Sequence, residues 1–268
     1  MAMVVIGYIA SILIGISLGL IGSGGSILTV PVLVYLFGVE PVFATAYSLF
    51  IVGSTAAIGS VGYFKKGLVD VRTALVFGAP SIIAVFMARA YVVPAIPKEV
   101  FTVGSFLVTR NLLMMVLFAI LMVAASFSMI KKGGPADENN EPRKFNYPVI
   151  VFEGALVGLV TGLVGAGGGF LIIPALVLLS KLPMKQAVGT SLVIIAAKSL
   201  IGFLGEHDLS GTNWFILLSV TAMAAVGIFI GMFLSKKIDG AKLKPIFGWF
   251  VLLMGIYIIL KETVFTHS

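Results

Sequence analysis

Residues 15–31 read GISLGLIGSGGSILTVP, and residues 158–174 read GLVTGLVGAGGGFLIIP. Laid over one another at an offset of 143 (15 onto 158), Gly15, Gly19, Leu20, Gly22, Gly24, Gly25, Leu28 and Pro31 fall on Gly158, Gly162, Leu163, Gly165, Gly167, Gly168, Leu171 and Pro174. The register continues without a gap. Leu33, Val34, Ala44, Ser48, Leu49, Ile58 and Gly59 fall on Leu176, Val177, Ala187, Ser191, Leu192, Ile201 and Gly202. Apolar composition aligns scattered Leu and Val, but it does not align six glycines and a proline. The chain therefore reads as two related halves, a first repeat over 1–130 and a second over 148–268, joined by a linker at 131–147.

The solvent of both halves is lipid. Of the 268 residues, 59% are hydrophobic and 11% charged, against about a quarter charged in soluble domains, and the mean hydropathy is +1.15. Apolar runs recur at 3–21, 26–38, 42–63, 73–93, 105–130, 148–164, 169–180, 186–205, 213–235 and 244–260. A helix needs about 20 apolar residues to cross the hydrocarbon core, so most of these qualify. Those at 26–38 and 169–180 are short, and each follows a glycine cluster and contains a proline, Pro31 or Pro174. The expected fold is all-α: a polytopic membrane bundle of two inverted repeats, each with a glycine-broken short helix, with about eight full spans and two short segments. The stretch KKGGPADENNEPRKFN, from Lys131 to Asn146, has charge of both signs and no apolar period, as a solvated linker does. The N-terminus MAMVVIGYIA lacks the basic region and cleavage site of a signal peptide and reads as part of the first span.

The orientation of the halves follows from the basic residues. The gap after the third segment holds Lys65, Lys66 and Arg72, and its counterpart holds Glu206, His207 and Asp208. The next gap reverses the pattern, with Lys98 and Glu99 against Lys236, Lys237, Lys242 and Lys244. Equivalent gaps thus face opposite sides, which requires each short segment to count as a crossing. The loops at 64–72, 131–147, 180–185 and 236–244 are expected in the cytoplasm, carrying thirteen of the eighteen Lys and Arg residues, with both termini outside.

The glycine clusters are the candidate binding elements. Gly22, Ser23, Gly24, Gly25 and Ser26 in the first half, and Gly165, Ala166, Gly167, Gly168 and Gly169 in the second, interrupt apolar runs in equivalent places. Non-helical backbone at membrane depth is tolerated only where protein buries it or a cavity hydrates it. A helix that restarts there presents backbone N–H groups and a positive dipole end. Two such ends converging near the midplane would hold an anion, and broken helices at matching places in two halves point to a transporter site. The third glycine of G-x-G-x-x-G is missing, with Ile27 and Phe170 in its place, and no G-K-[ST] follows, so neither a dinucleotide nor a P-loop site is present. A tight hairpin between packed helices is the structural alternative. Gly15/Gly19 and Gly158/Gly162 form GxxxG pairs and read as packing residues.

Lys198 lies in LVIIAAKSLIG, deep inside an apolar run, where a lysine costs about 2.5–3.5 kcal/mol on insertion scales. Its repeat counterpart is Thr55, so the charge breaks the symmetry. It reads as the counter-charge of an anion, the alternatives being an ion pair with Glu153 or snorkelling. Glu153 lies near the cytoplasmic end of its segment and is either a proton-coupling acid or an interfacial residue. Arg89 and Arg110 read as interfacial anchors, and Trp214 and Tyr257 as an aromatic belt. Hydroxyls at Thr45, Tyr47, Ser48, Ser54 and Thr55, and at Thr190, Ser191 and Ser199, suit an oxyanion or helix–helix hydrogen bonds; Ser48, Ser191 and Thr55 are taken as candidate ligands.

GLIGSGGSILTVPVLVYLFG (19–38) and GLVGAGGGFLIIPALVLLSKLP (162–183), each followed about ten residues later by a helix containing Ser-Leu, resemble the paired signature of TauE/SafE-type transporters. KLKPIFGWFVLLMGIYIILK (242–261) resembles that family's last helix, and the likeness covers nearly the whole chain. The resemblance implies an inner-membrane carrier of sulfur anions such as sulfite or organosulfonates. The family is drawn with seven or eight spans, against ten segments here, and Ser26 stands where its glycine run has a third glycine.

The expected function is a secondary transporter of small anions working by alternating access, with an anion channel or a carrier of a non-sulfur anion as the alternatives. An enzyme is not expected. Cysteine is absent, the two histidines, His207 and His267, form no cluster, and no metal or cofactor is implied. The net charge of +7 sits in short gaps rather than on one face, so nucleic acid is not a partner. The partners are a small anion and the bilayer. An all-apolar surface also accommodates a homodimer.

Overall fold

A computed structural model describes residues 2–22, 24–103, 106–130, 147–165, 167–178, 182–206, 211–235 and 240–265. The linker, apart from Tyr147, and Ser23, Ala166, His207 and His267 lie outside the described residues.

In the first half, α1 (Ala2–Ile21) is followed by a 3-10 turn (Gly24–Leu28), α2 (Thr29–Phe37), α3 (Pro41–Lys65) and α4 (Val71–Met87). α4 passes through a π-helical turn (Ala88–Val92) into the short α5 (Val93–Ala95), and after a β-hairpin the half ends on α6 (Arg110–Ile130). The second half comprises α7 (Tyr147–Val164), α8 (Gly169–Leu178), α9 (Met184–Leu204), α10 (Trp214–Leu234) and α11 (Gly240–Leu260). Seven of the described helices are long and apolar enough to cross a membrane, counting α4 to α5 as one, and α11 adds a further 21-residue helix. The expected segments reappear as helices, with one correction. Residues 106–109, expected near the start of the fifth segment, belong to a two-stranded antiparallel sheet of β1 (Glu99–Val103) and β2 (Phe106–Thr109), with Val103 opposite Phe106 and Thr102 opposite Leu107. Runs rich in Val, Thr and Phe favour the extended form over the helix.

Helix–helix contacts cross between the halves. α1 packs against α10, and α4 against α7. A β-carbon on Gly15 would lie 2.0 Å from the Ala224 carbonyl oxygen, and one on Gly19 2.7 Å from that of Ile228. From the other side, β-carbons on Gly227 and Gly231 would meet the carbonyls of Ile12 and Ile16 at 2.1 and 2.3 Å. The GxxxG pair of α1 thus interlocks with a second pair on α10, backbone to backbone, in a parallel arrangement. On the other flank, Gly154 presses on Phe77 and Gly158 on Ser81, so α7 and α4 are parallel too. Counterpart helices also pair with each other, but antiparallel. Gly202 of α9 meets Leu49 of α3 while Gly189 meets Tyr63, and Gly248 of α11 meets Met129 of α6 while Gly255 meets Ala119.

The α3/α9 pair is the centre of the bundle. About 70% of each spanning window is buried (72% and 67%), against 33–44% for the other spans. The outer helices carry the apolar surface lipid requires: Phe152, Phe215, Ile246 and Leu253 are all exposed, an arrangement untenable in water.

Candidate functional site

The site is built on the middle of α9. Pro183 opens that helix, and Lys198 falls four turns in, with none of its surface exposed. Its Nζ donates to Thr161 Oγ1 of α7 at 3.0 Å, and Thr161 Oγ1 in turn reaches the Gly158 carbonyl at 3.3 Å. Among the described residues no carboxylate pairs with Lys198; the ion pair with Glu153 does not form. Glu153 sits eight residues before Thr161, about 12 Å back along α7, with its Oε2 buried and without a partner.

The second glycine cluster closes over this lysine. Gly165, Gly167 and Gly168 all carry positive φ, at 75°, 61° and 64°. A β-carbon on Gly168 would lie 2.0 Å from Thr161 Cγ2 and 2.6 Å from Lys198 Nζ. One on Gly167 would lie 2.6 Å from Val52 Cγ1, at the midpoint of α3, and 3.5 Å from Ser199 Oγ. Only glycine satisfies both demands, a left-handed backbone and contact without a side chain. Leu171 and Ile172 donate to the Gly168 carbonyl at 3.1 and 3.2 Å, so α8 starts here and its positive end opens beside Lys198. Gly169, the first residue of α8, is buried.

The first cluster is arranged differently. Gly22 has φ +82° and donates to the Leu18 carbonyl, but Gly24, Gly25 and Ser26 run on in a 3-10 turn that folds back on α1. A β-carbon on Gly25 would meet Ser17 Oγ at 2.1 Å and the Ile14 carbonyl at 2.4 Å. Gly22 presses on Val188 near the start of α9, and Gly165 on Thr45 near the start of α3. Because α3 and α9 are antiparallel, the two turns lie at opposite ends of the pair. The segments restarting from them run inward and meet, the Gly24–Leu28 turn packing against α8.

The other candidate residues are buried on the same two helices. Thr55 Oγ1 donates to its own backbone at Ile51, 2.6 Å, and Ser191 Oγ to Val188 at 2.9 Å. The Oγ atoms of Ser48 and Ser199 are buried with no hydrogen-bond partner. Ser199 follows Lys198 and faces Gly167; Ser191 lies two turns before it, about 10 Å away along the axis.

Two features went unread in the sequence. Thr161 is the lysine's partner, and its only sequence signal is that its repeat counterpart, Leu18, is apolar. Arg89, expected as an interfacial anchor, is fully buried, and its Nη1 donates to Glu206 Oε2 at 3.2 Å. The correction has a simple cause: α7 and α9, both from the other half, cover this end of α4.

A cavity of about 700 Å³ lies elsewhere, between α1, α2 and α11. Its wall includes Ile14, Pro31, Tyr35, Phe250 and Met254, and none of the Lys198 cluster; its apolar lining does not suit an anion. Among the described residues no group of three His, Cys, Asp or Glu could hold a metal ion.

The family model described as "Sulfite exporter TauE/SafE" matches residues 7–258. A "Probable membrane transporter protein" of Xylella fastidiosa is 30% identical over 262 residues, covering 93% of this chain and 92% of its own length. The "Probable membrane transporter protein YunE" of Bacillus subtilis is 30% identical over 277 residues, covering 96% of each. No solved structure matches.

Proposed function

Because the chain belongs to the TauE/SafE family of membrane transporters, we propose that it is a secondary transporter that carries a small sulfur oxyanion, of the sulfite or organosulfonate type, across the cell membrane by alternating access of two inverted halves. The observation that carries this reading is the environment of Lys198. Its fully buried amine pairs with no carboxylate among the described residues, and it is held by Thr161 and roofed by the left-handed turn at Gly167 and Gly168. An anion beside it would offset the cost of enclosing a cation in apolar protein. The positive end of α8 and the unpartnered hydroxyl of Ser199 add donors in the same place. Oxyanions offer several acceptor oxygens and suit such a set.

The inverted orientation has separate support. α3 packs antiparallel on its counterpart α9, and α6 on α11, as an axis in the membrane plane relating the halves would require. The parallel pairs α1/α10 and α4/α7 follow from the same operation. In this scheme the central pair is the hinge surface, and the loop at 64–72 and the linker face the cytoplasm.

Full-length protein reconstituted in liposomes provides the test. Radiolabelled sulfite uptake is expected to saturate with concentration and to collapse in Lys198→Ala. Flux that rises linearly without saturation would replace the carrier with a channel. Wild-type flux in both Lys198→Ala and Lys198→Arg would overturn the site.

A further inference from the structure

Arg89 is the largest fully buried side chain of the described residues, and the site above does not use it. Among the described residues its guanidinium is engaged only at Nη1, by Glu206; Nε and Nη2 are buried with no hydrogen-bond partner. Those two nitrogens form one edge of the planar fork. That edge, with its two parallel N–H bonds, is the one that grips two oxygens of a carboxylate, phosphate or sulfur oxyanion. Native structures rarely leave buried donors unused, and two on the same edge call for a physical explanation.

The position of the guanidinium is as informative as its unpartnered edge. Lys198 and Gly202 of α9 and the C-cap residue Gly205 lie four and three residues apart and so share one face. A β-carbon on Gly202 would lie 3.0 Å from Val85 Cγ2, and one on Gly205 3.3 Å from Arg89 Cβ. The face of α9 that presents Lys198 therefore runs directly to Arg89, about 10 Å further along the helix. The π-helical turn Ala88–Val92 holds the arginine there against the end of α7.

We propose that Arg89 is a second oxyanion-binding station, taking two oxygens of the carried anion on its Nε/Nη2 edge while Glu206 holds Nη1. The inference rests on the oxyanion reading of the Lys198 site. In the present conformation the edge is closed, so the anion reaches it when the halves move. Glu206 keeps the empty station neutral, which lets the guanidinium stay enclosed until the anion arrives. A purely structural ion pair would bind no anion.

Thermal unfolding of the purified full chain in sulfite or sulfate, against chloride at equal ionic strength, tests this. Arg89→Lys preserves the charge facing Glu206 but not the two-pronged edge. It is expected to keep its melting temperature in chloride and to need about tenfold more sulfite for the same stabilisation. Glu206→Gln leaves the arginine charge uncompensated. It is expected to melt lower in chloride and to regain more on adding sulfite than wild type does. If Arg89→Lys does not fold, this rescue decides the matter. Wild-type sulfite dependence in Arg89→Lys, with no extra rescue in Glu206→Gln, would overturn the second station alone. No stabilisation of wild type by any oxyanion would overturn the station and the Lys198 reading together.

Discussion

Gly22 and Gly165 hold the same place in the two halves, and the structure treats them alike. Each ends a helix with positive φ, and each presses on an equivalent residue of the other half, Val188 or Thr45. Beyond them the halves part. In the first, Gly24 and Gly25 enter a 3-10 turn that folds onto α1; in the second, Gly167 and Gly168 stay left-handed and lie over Lys198. The side chains diverge at the same point. Thr161, Lys198 and Ser199 of the second half stand where the first has Leu18, Thr55 and Ala56. The repeated residues include the glycines that let two backbones touch and the hydroxyl pair Ser48 and Ser191, whereas the charge of Lys198 and the hydroxyls of Thr161 and Ser199 are unrepeated. In the proposed site, repetition accounts for the scaffold and the departures from it account for the anion's ligands.

The largest expected break in this comparison is at Lys198. Lys198→Ala should weaken sulfite binding by roughly 2 kcal/mol or more, about thirtyfold, whereas Thr55→Ala should leave binding unchanged. Isothermal titration of the two variants checks this, and equal losses would mean that both halves share the site.

A smaller contrast is expected at the turns. Gly168→Ala forces alanine into the left-handed region, at about 1–3 kcal/mol, and pushes its methyl onto Thr161 and Lys198. Gly25→Ala meets Ser17 and the α1 backbone instead. Both should lower the melting temperature, but only Gly168→Ala should also reduce anion affinity. A parallel loss of affinity in Gly25→Ala would move the first turn into the site.

The finest test compares two threonines. Thr161→Val removes a hydrogen bond to a buried ammonium, about 1.5–3 kcal/mol, and Thr55→Val removes one to the threonine's own helix backbone, about 0.5–1.5 kcal/mol. Uptake kinetics should show a raised KM in the first and wild-type values in the second.

Much of the fold was legible because its signals are local. Helix positions follow from apolar runs, the two halves from a register of glycines, and the membrane class from composition. The strand pair β1 and β2 escaped because a short run of Val, Thr and Phe looks as apolar as the start of a helix. The partners of the charged residues escaped for a different reason. Lys198 meets Thr161 across 37 positions, and Arg89 meets Glu206 across 117. Nothing in either neighbourhood names the other.

The sequence by itself therefore determined that this is a two-repeat helical membrane protein, and it marked Lys198 as the charge the symmetry does not explain. Only the tertiary structure decided which glycine turn covers that lysine, that Arg89 is enclosed rather than anchored at the surface, and that Gly227 and Gly231 complete the α1 contact. Periodicity and composition specify which helices form, since each helix satisfies its own backbone. Which faces meet is settled by packing between distant segments, where a missing β-carbon or an enclosed charge acquires its meaning from its neighbours.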